Sequence, residues 1–285
     1  MTITALDHIA LVVRDLEATL DGYTRLLGRS PNWRGADGGA HHAWYQFGNT
    51  ALDVIAPTGE GHTGSQVARQ LADHGEGIWA LAFTTDDMEA ERRRLSRLSM
   101  ASSDPLPIRS THPDTGEKRR WLTSVLAPAA THGTNIFLIE QKPDAPVWPN
   151  SDATGDELAA VAGLDHVVVS TRHPERAAAL YGARLGLDFK LDRANPDWGT
   201  RLMFFRCGDL VVEVAHQLKD PPGDQPDSPW GLSWGVPDVA AAHALIAAAG
   251  FDVSDPRQGR KPGTRVFTVR DAPAGVPTLI IGAGE

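Results

Sequence analysis

Two histidines and two carboxylates recur at matching places along the chain. His8 enters the run Leu6-Asp7-His8-Ile9-Ala10-Leu11-Val12-Val13, and His166 enters Leu164-Asp165-His166-Val167-Val168-Val169. Downstream, Asp53 interrupts Ala51-Leu52-Asp53-Val54, and Glu213 interrupts Val211-Val212-Glu213-Val214. An unpaired carboxylate inside an apolar strand costs about 2 kcal/mol or more, so each needs a cation, a histidine, an arginine or water. Imidazole and carboxylate together suit Fe, Mn, Zn, Ni or Co, with open positions for a substrate that chelates through two adjacent oxygens. A metal-free His8–Asp53 hydrogen-bonded pair would satisfy both groups equally well and could act as a general base. The third alternative is a histidine that is only structural.

Other side chains could complete a site around these groups. In Lys118-Arg119-Arg120, Arg120 is the candidate to reach inward and fork a substrate carboxylate or enolate, with Arg201 and Arg265 as its counterparts in the second half. The competing reading of that run is a solvated strand edge. Trp44, Trp79, Trp121 and Trp230 fall in strand-like segments, as core residues or as walls of an apolar substrate pocket. His41-His42 precedes a strand, so one ring is expected inward and the other in solvent. The remaining histidines read as surface residues. The lone Cys207 excludes an internal disulfide framework and a cysteine-rich zinc site, and its strand-like surroundings mark a buried, inert thiol.

The elements that must position these groups follow from periodicity. Residues 6–13 read as a strand. Asp15 offers an N-cap, Leu16, Leu20, Tyr23, Leu26 and Leu27 recur at helical spacing, and Gly28 stops the helix. Residues 43–47 and 50–56 form a hairpin across Gly48-Asn49, followed by a short helix near 65–71. The pattern restarts with a strand at 78–84, a helix at 88–98, and strands at 120–126 and 135–140. Residues 142–162, rich in Pro, Asp, Ala and Gly, read as a linker between a first domain at 1–141 and a second at 163–285.

The second half repeats the first. Residues 39–48 lie on 199–208 without a gap, Asp53 falls on Glu213, and Trp79-Ala80-Leu81 meets Trp230-Gly231-Leu232. Strand, helix and further strands occur twice within each half, giving four βαβββ units. One unit cannot cover its own sheet, so the expected class is α+β, with paired units curling into cups. The order of pairing, within a half, across halves or between chains of a homodimer, is left open. No G-x-G-x-x-G follows the first strand, which excludes a dinucleotide fold. The net charge of −9 argues against nucleic acid or an anionic membrane as the main partner, and no apolar run nears the roughly 18 residues of a membrane span. The first five residues carry no signal-peptide pattern, so a cytoplasmic protein acting on a small molecule is expected.

Four βαβββ units opening on Leu-Asp-His resemble the vicinal oxygen chelate superfamily, which includes glyoxalases, bleomycin-resistance proteins and extradiol dioxygenases. The resemblance implies two glyoxalase-like domains with curved mixed sheets. It also implies ligand positions for a divalent metal at His8, Asp53, His166 and Glu213, with His8 and Asp53 as the principal catalytic pair. The expected chemistry is lyase, isomerase or ring-cleaving, and the alternative is a metal-free, drug-sequestering protein. The chain departs from the family's pattern in the second and fourth units. There the ligand positions fall on Trp79 or Ala80, Phe137 or Leu138, Trp230 or Gly231, and Leu279 or Ile280.

Overall fold

The computed structural model describes residues 3–142, 145 and 147–284. β1 (Ile3–Val12) leads through α1 (Leu16–Leu27) to β2 (Trp33–Asp37), β3 (Ala40–Gln46) and β4 (Ala51–Pro57). After α2 (His62–His74) the order returns as β5 (Gly77–Thr85), α3 (Met88–Arg97), β6 (Leu106–Thr111), β7 (Lys118–Val125) and β8 (Asn135–Glu140). Capping explains the α1 boundaries: the Asp15 carboxylate accepts from the Ala18 N–H, and Gly28 takes the left-handed conformation (φ 64°) that ends the helix.

These eight strands close into a barrel in the order β1-β4-β3-β2-β6-β7-β8-β5. The seam between the two units is thin on one side, where β2 meets β6 through the pair Ala36–Thr111, and long on the other, where β1 runs antiparallel to β5. The first two units therefore pair with each other. Strand alternation then sorts the side chains. His8, Ala10, Asp53 and Ile55 line the lumen, while Ile9, Leu11, Leu52 and Val54 join the main core outside it.

The second half contains β9 (Gly163–Ser170), β10 (Asp188–Asn195), β11 (Thr200–Cys207), β12 (Leu210–Gln217), β13 (Ser228–Gly235), β14 (Arg257–Gln258), β15 (Thr264–Val269) and β16 (Thr278–Ala283). Their order, β10-β11-β12-β9-β13-β16-β15-β14, matches the barrel's, but the sheet stays open. The physical reason is length. β14 has two residues where its counterpart β6 has six, too few to reach β10 and close the ring.

The repeat holds at the level of register. Ala10 stands opposite Asp53 as Val168 stands opposite Glu213, and Ile9 opposite Leu81 as Val167 stands opposite Leu232. In the first half two strands escaped the periodicity, β2 and β6. Their sequences, Trp-Arg-Gly-Ala-Asp and Leu-Pro-Ile-Arg-Ser-Thr, carry a Gly and a Pro that read as breakers, tolerated here at the outer edges of the two units.

One hydrophobic core runs through both halves, combining Tyr23 and Leu26 of α1 with Val167, Tyr181, Phe205 and Trp234. The rings of Phe47 and Trp234 lie 5.2 Å apart across the boundary. Among the described residues, no helix is long and apolar enough to cross a membrane. Cys207 is buried, and burial pushes its thiol up to about 12. Because Trp234 is fully enclosed at the junction, Trp234→Ala is expected to destabilise the chain by about 3–5 kcal/mol. It should also split thermal unfolding into two transitions, measured by urea titration and calorimetry.

Candidate active site

The barrel holds a cavity of about 390 Å³ that opens to solvent beside Ser103, Asp104 and Leu106. Its wall is mainly apolar, with Ile55, Ile108, Trp79, Trp121, Phe137 and Ile139, and His8, His42 and Asp53 supply polar groups from β1, β3 and β4. α2 stoppers one end, where Val67 and Leu71 pack on Ala10, Val12 and Ile55. Trp33, Trp44 and Trp121 fill the other end.

A local irregularity aims His8. Adjacent residues of a regular strand point to opposite faces, but the β1–β5 register shifts between Leu6 and His8. Asp7 thereby comes round to place its Oδ1 2.7 Å from His8 Nδ1. The second half repeats this device, with Asp165 Oδ1 2.7 Å from His166 Nδ1 beside a shift between Ser233 and Trp234. An ionised carboxylate only accepts, so Nδ1 carries the hydrogen and Nε2 of His8 presents its lone pair to the cavity. Burial alone would lower the His8 pKa. The hydrogen bond that His8 donates to Asp7, with the charges of Asp7 and Asp53, outweighs it, and the net shift is upward.

Asp53 does not bond His8. Its Oδ1 lies 2.9 Å from Nδ1 of His42, whose Nε2 lies 2.7 Å from Ser110 Oγ. Trp33 Nε1 donates to the same Ser110 oxygen at 2.9 Å. An indole can only donate, so the Ser110 hydroxyl hydrogen is left for His42 Nε2 and the His42 Nδ1–H for Asp53. The Trp44 indole N–H also approaches His42 Nδ1, at 3.0 Å. Nδ1 cannot serve both, and the charged acceptor makes the stronger bond. Gly35 makes room for this network, since a Cβ there would fall 1.9 Å from Ser110 Oγ and 2.7 Å from His42 Nε2. Ser110 is wholly buried and is not part of the cavity wall, so it anchors His42 and offers no nucleophile.

The arrangement leaves His8 Nε2 and Asp53 Oδ2 facing the lumen, with His62, Asp37 and Asp104 elsewhere in its wall. Catalytic metal sites ordinarily supply three protein ligands. His42 is committed at both nitrogens, and among the described residues no three His, Cys, Asp or Glu side chains are grouped so as to hold a metal ion. The residues present therefore do not fit a resident divalent ion. In the second half, His166 Nε2 lies 2.8 Å from Ser233 Oγ and 3.5 Å from Glu213 Oε2 on the open sheet. Burial raises the Glu213 pKa against the lowering charges of His166 and Arg260, and the hydrogen bond from His166 holds Asp165 below its usual value. The sequence-derived quartet is thus two separate pairs, one per half. In the first, His42 stands between expectation and geometry as the partner of Asp53.

The remaining candidates divide. Trp79 and Trp121 line the lumen, and Trp44 packs 5.0 Å from the His8 ring. Trp230 is 56% exposed and lies away from the cavity. Arg201 is held by Asp192 and Glu175 on the surface, and Arg265 is exposed, donating to the Pro256 carbonyl. Arg120 points outward; its neighbour Arg119 points inward, because β7 places Arg119 on the face of Trp121 and Thr123. Of the histidine pair, His42 is buried and His41 exposed, as expected. Two histidines read as surface residues are not: His62 lines the lumen from α2, and His216 is buried in β12, 3.1 Å from the Thr171 carbonyl. Trp33, Trp148, Ser110 and Arg119 were missed, since β2 and β6 did not register as strands and Trp148 falls in the linker.

With this geometry in view, comparison with known proteins places the chain. Residues 6–162 match the family described as Glyoxalase-like domain, and residues 165–268 match the Glyoxalase/Bleomycin resistance protein/Dioxygenase superfamily. The chain belongs to the glyoxalase-like family of the vicinal oxygen chelate superfamily. No curated protein sequence matches it. A triple mutant of 4-hydroxymandelate synthase from Streptomyces coelicolor superposes with a TM-score of 0.71 at 16% identity, covering 100% of this chain and 94% of that one. The Mn(II)-bound glyoxalase from Novosphingobium aromaticivorans gives 0.64 at 13% identity, over 99% and 82% of the two chains. A xylose isomerase-like TIM barrel/4-hydroxyphenylpyruvate dioxygenase fusion protein gives 0.66 at 12%, over 99% and 49%. At these identities the likeness is one of fold.

The Asp7 lock on His8 is open to direct measurement. By NMR the His8 imidazole should titrate above its ordinary 6.5. In Asp7→Asn the burial effect is left to dominate and the midpoint should fall below 6.5. An unchanged midpoint in that variant would contradict the lock.

Proposed function

We propose that the chain is an enzyme of small-molecule metabolism that binds a ring-bearing, oxygenated compound in the first-half barrel. There it moves a proton between carbon and the pair His8 and Asp53, in an isomerase- or lyase-type reaction. One observation carries this reading: His8 Nε2 and Asp53 Oδ2 face one largely apolar cavity, each with its other polar atom already bonded. In such a cavity Trp79, Trp121 and Phe137 would hold a flat apolar body by contact and ring packing. Asp7 keeps the reactive nitrogen of His8 unprotonated when the ring is neutral, ready to accept a proton. The Asp7 carboxylate, by accepting from Nδ1, strengthens His8 Nε2 as a proton acceptor and shifts its pKa upward. Exclusion of water by α2 and the tryptophan end would strengthen every interaction with a developing enolate.

The superfamily kinship supports an enzyme acting on adjacent oxygens, and the neighbours' names include a Mn(II)-bound glyoxalase and dioxygenases. The donor set of this chain favours acid–base chemistry by its own side chains. A second reading, sequestration of an aromatic compound without chemistry, draws on the same aromatic wall.

The test uses 4-hydroxyphenylpyruvate, taken from a neighbour's name, in D2O with protein stripped of metal by chelation. NMR should show exchange of its methylene protons above background. His8→Gln and Asp53→Asn should each lower that exchange about 10²-fold or more. Exchange that appears only on restoring Mn or Fe would contradict the metal-free reading. Binding without exchange, unaffected by His8→Gln, would favour sequestration.

A further inference from the structure

A second cavity, of about 350 Å³, opens beyond the tryptophan end of the barrel, and Trp121 lines both spaces. Arg119 projects into it. Arg119 is 2% exposed, yet among the described residues its Nε and Nη1 have no hydrogen-bond partner. Its carbon lies 4.2 Å from the Trp33 ring centroid and 3.7 Å from that of Trp148. The two rings hold the cation in the angle between them by cation–π attraction. Neither ring offers a lone pair, so the N–H donors stay unmatched.

The charge pattern points the same way. The chain carries a net charge of −9. Around this cavity it instead sets Lys118, Arg119, Arg120 and Lys142, with no acidic side chain among the described residues of the wall. Asp53 and Glu117 act on Arg119 only at longer range, too weakly to offset desolvation, and its pKa is pushed down to about 10. A buried cation with free donors in a basic pocket is what an incoming anion would complete.

We infer that this cavity is a binding site for a small aromatic carboxylate, whose oxygens take the N–H groups along one edge of the Arg119 guanidinium, Nη2 together with Nε, while its ring lies against Trp44, Trp121 and Trp148. The planar fork of a guanidinium matches two carboxylate oxygens in one plane, and the wall is built of flat rings. The site lies outside the His8–Asp53 lumen and does not depend on the acid–base reading. A ligand there would press on Trp121, the shared wall.

Titration with benzoate at fixed ionic strength, followed by calorimetry and tryptophan fluorescence, tests this. Saturable binding is expected, at least tenfold tighter than for acetate, inorganic phosphate or benzyl alcohol. Arg119→Met should weaken it at least tenfold, and His8→Gln should leave it within twofold of the parent. Equal affinity for phosphate would show that the site reads charge alone and would overturn the carboxylate assignment. Loss in His8→Gln would place the ligand in the lumen and overturn the second site. If Arg119→Met does not fold, Arg119→Lys decides: it keeps the charge without the fork, a weakening of fivefold or more is expected, and parental affinity would overturn the inference.

Discussion

Ring closure of the first sheet is the constraint from which the site follows. β2 reaches β6 through one pair of residues while β1 pairs along β5, and this turns eight twisted strands into a tube with an inside. Once closed, alternation along each strand commits every second side chain to a shared, largely dry space. The second half has the same strand order, the same Asp–His bulge and the same His–carboxylate register, but a two-residue β14, and it stays open. Its His166 and Glu213 share an open sheet and are half-buried; His8 and Asp53 share a cavity and are buried. One chain thus contains both outcomes of the same design, separated by the length of one strand.

Dryness then sets the chemistry. Burial works against a charged imidazole and a charged guanidinium alike, and the two are handled in opposite ways. His8 is given a carboxylate at 2.7 Å and its pKa rises. Arg119 is given aromatic faces and no hydrogen-bond acceptor, and its pKa falls. Asp53 lies between them, bonded to His42 and acting by charge on both. The barrel floor is therefore an acid–base group and a cation on either side of one carboxylate, with tryptophans as the partition.

Much of this was legible in the sequence. The repeat gave the four units, and the equivalence of Asp53 and Glu213 holds in the strand register, because two-residue periodicity and β-branched runs survive wherever one face is buried. The His8–Asp7 bond was not foreseeable. Asp7 precedes His8 in a strand, and period-two reasoning puts it on the wrong face; only the bulge brings it round. The inward arginine was missed by a single residue for the same kind of reason, since the run Lys118-Arg119-Arg120 does not announce which member shares the face of Trp121. β2 and β6 were masked by their glycine and proline, and with them went Ser110 and Trp33, which fix His42 and Arg119. Tertiary closure, which no local pattern encodes, supplied the rest.

The central claim is that the reactive groups are His8 Nε2 and Asp53 Oδ2 of the closed barrel, working as side chains. A crystal structure of the purified protein grown with 4-hydroxyphenylpyruvate tests it most directly. The account predicts the ring against Trp79 and Phe137 and a substrate oxygen within hydrogen-bond reach of His8 Nε2. A metal ion bound by three protein side chains, or a ligand seated on the open sheet beside His166, would contradict it.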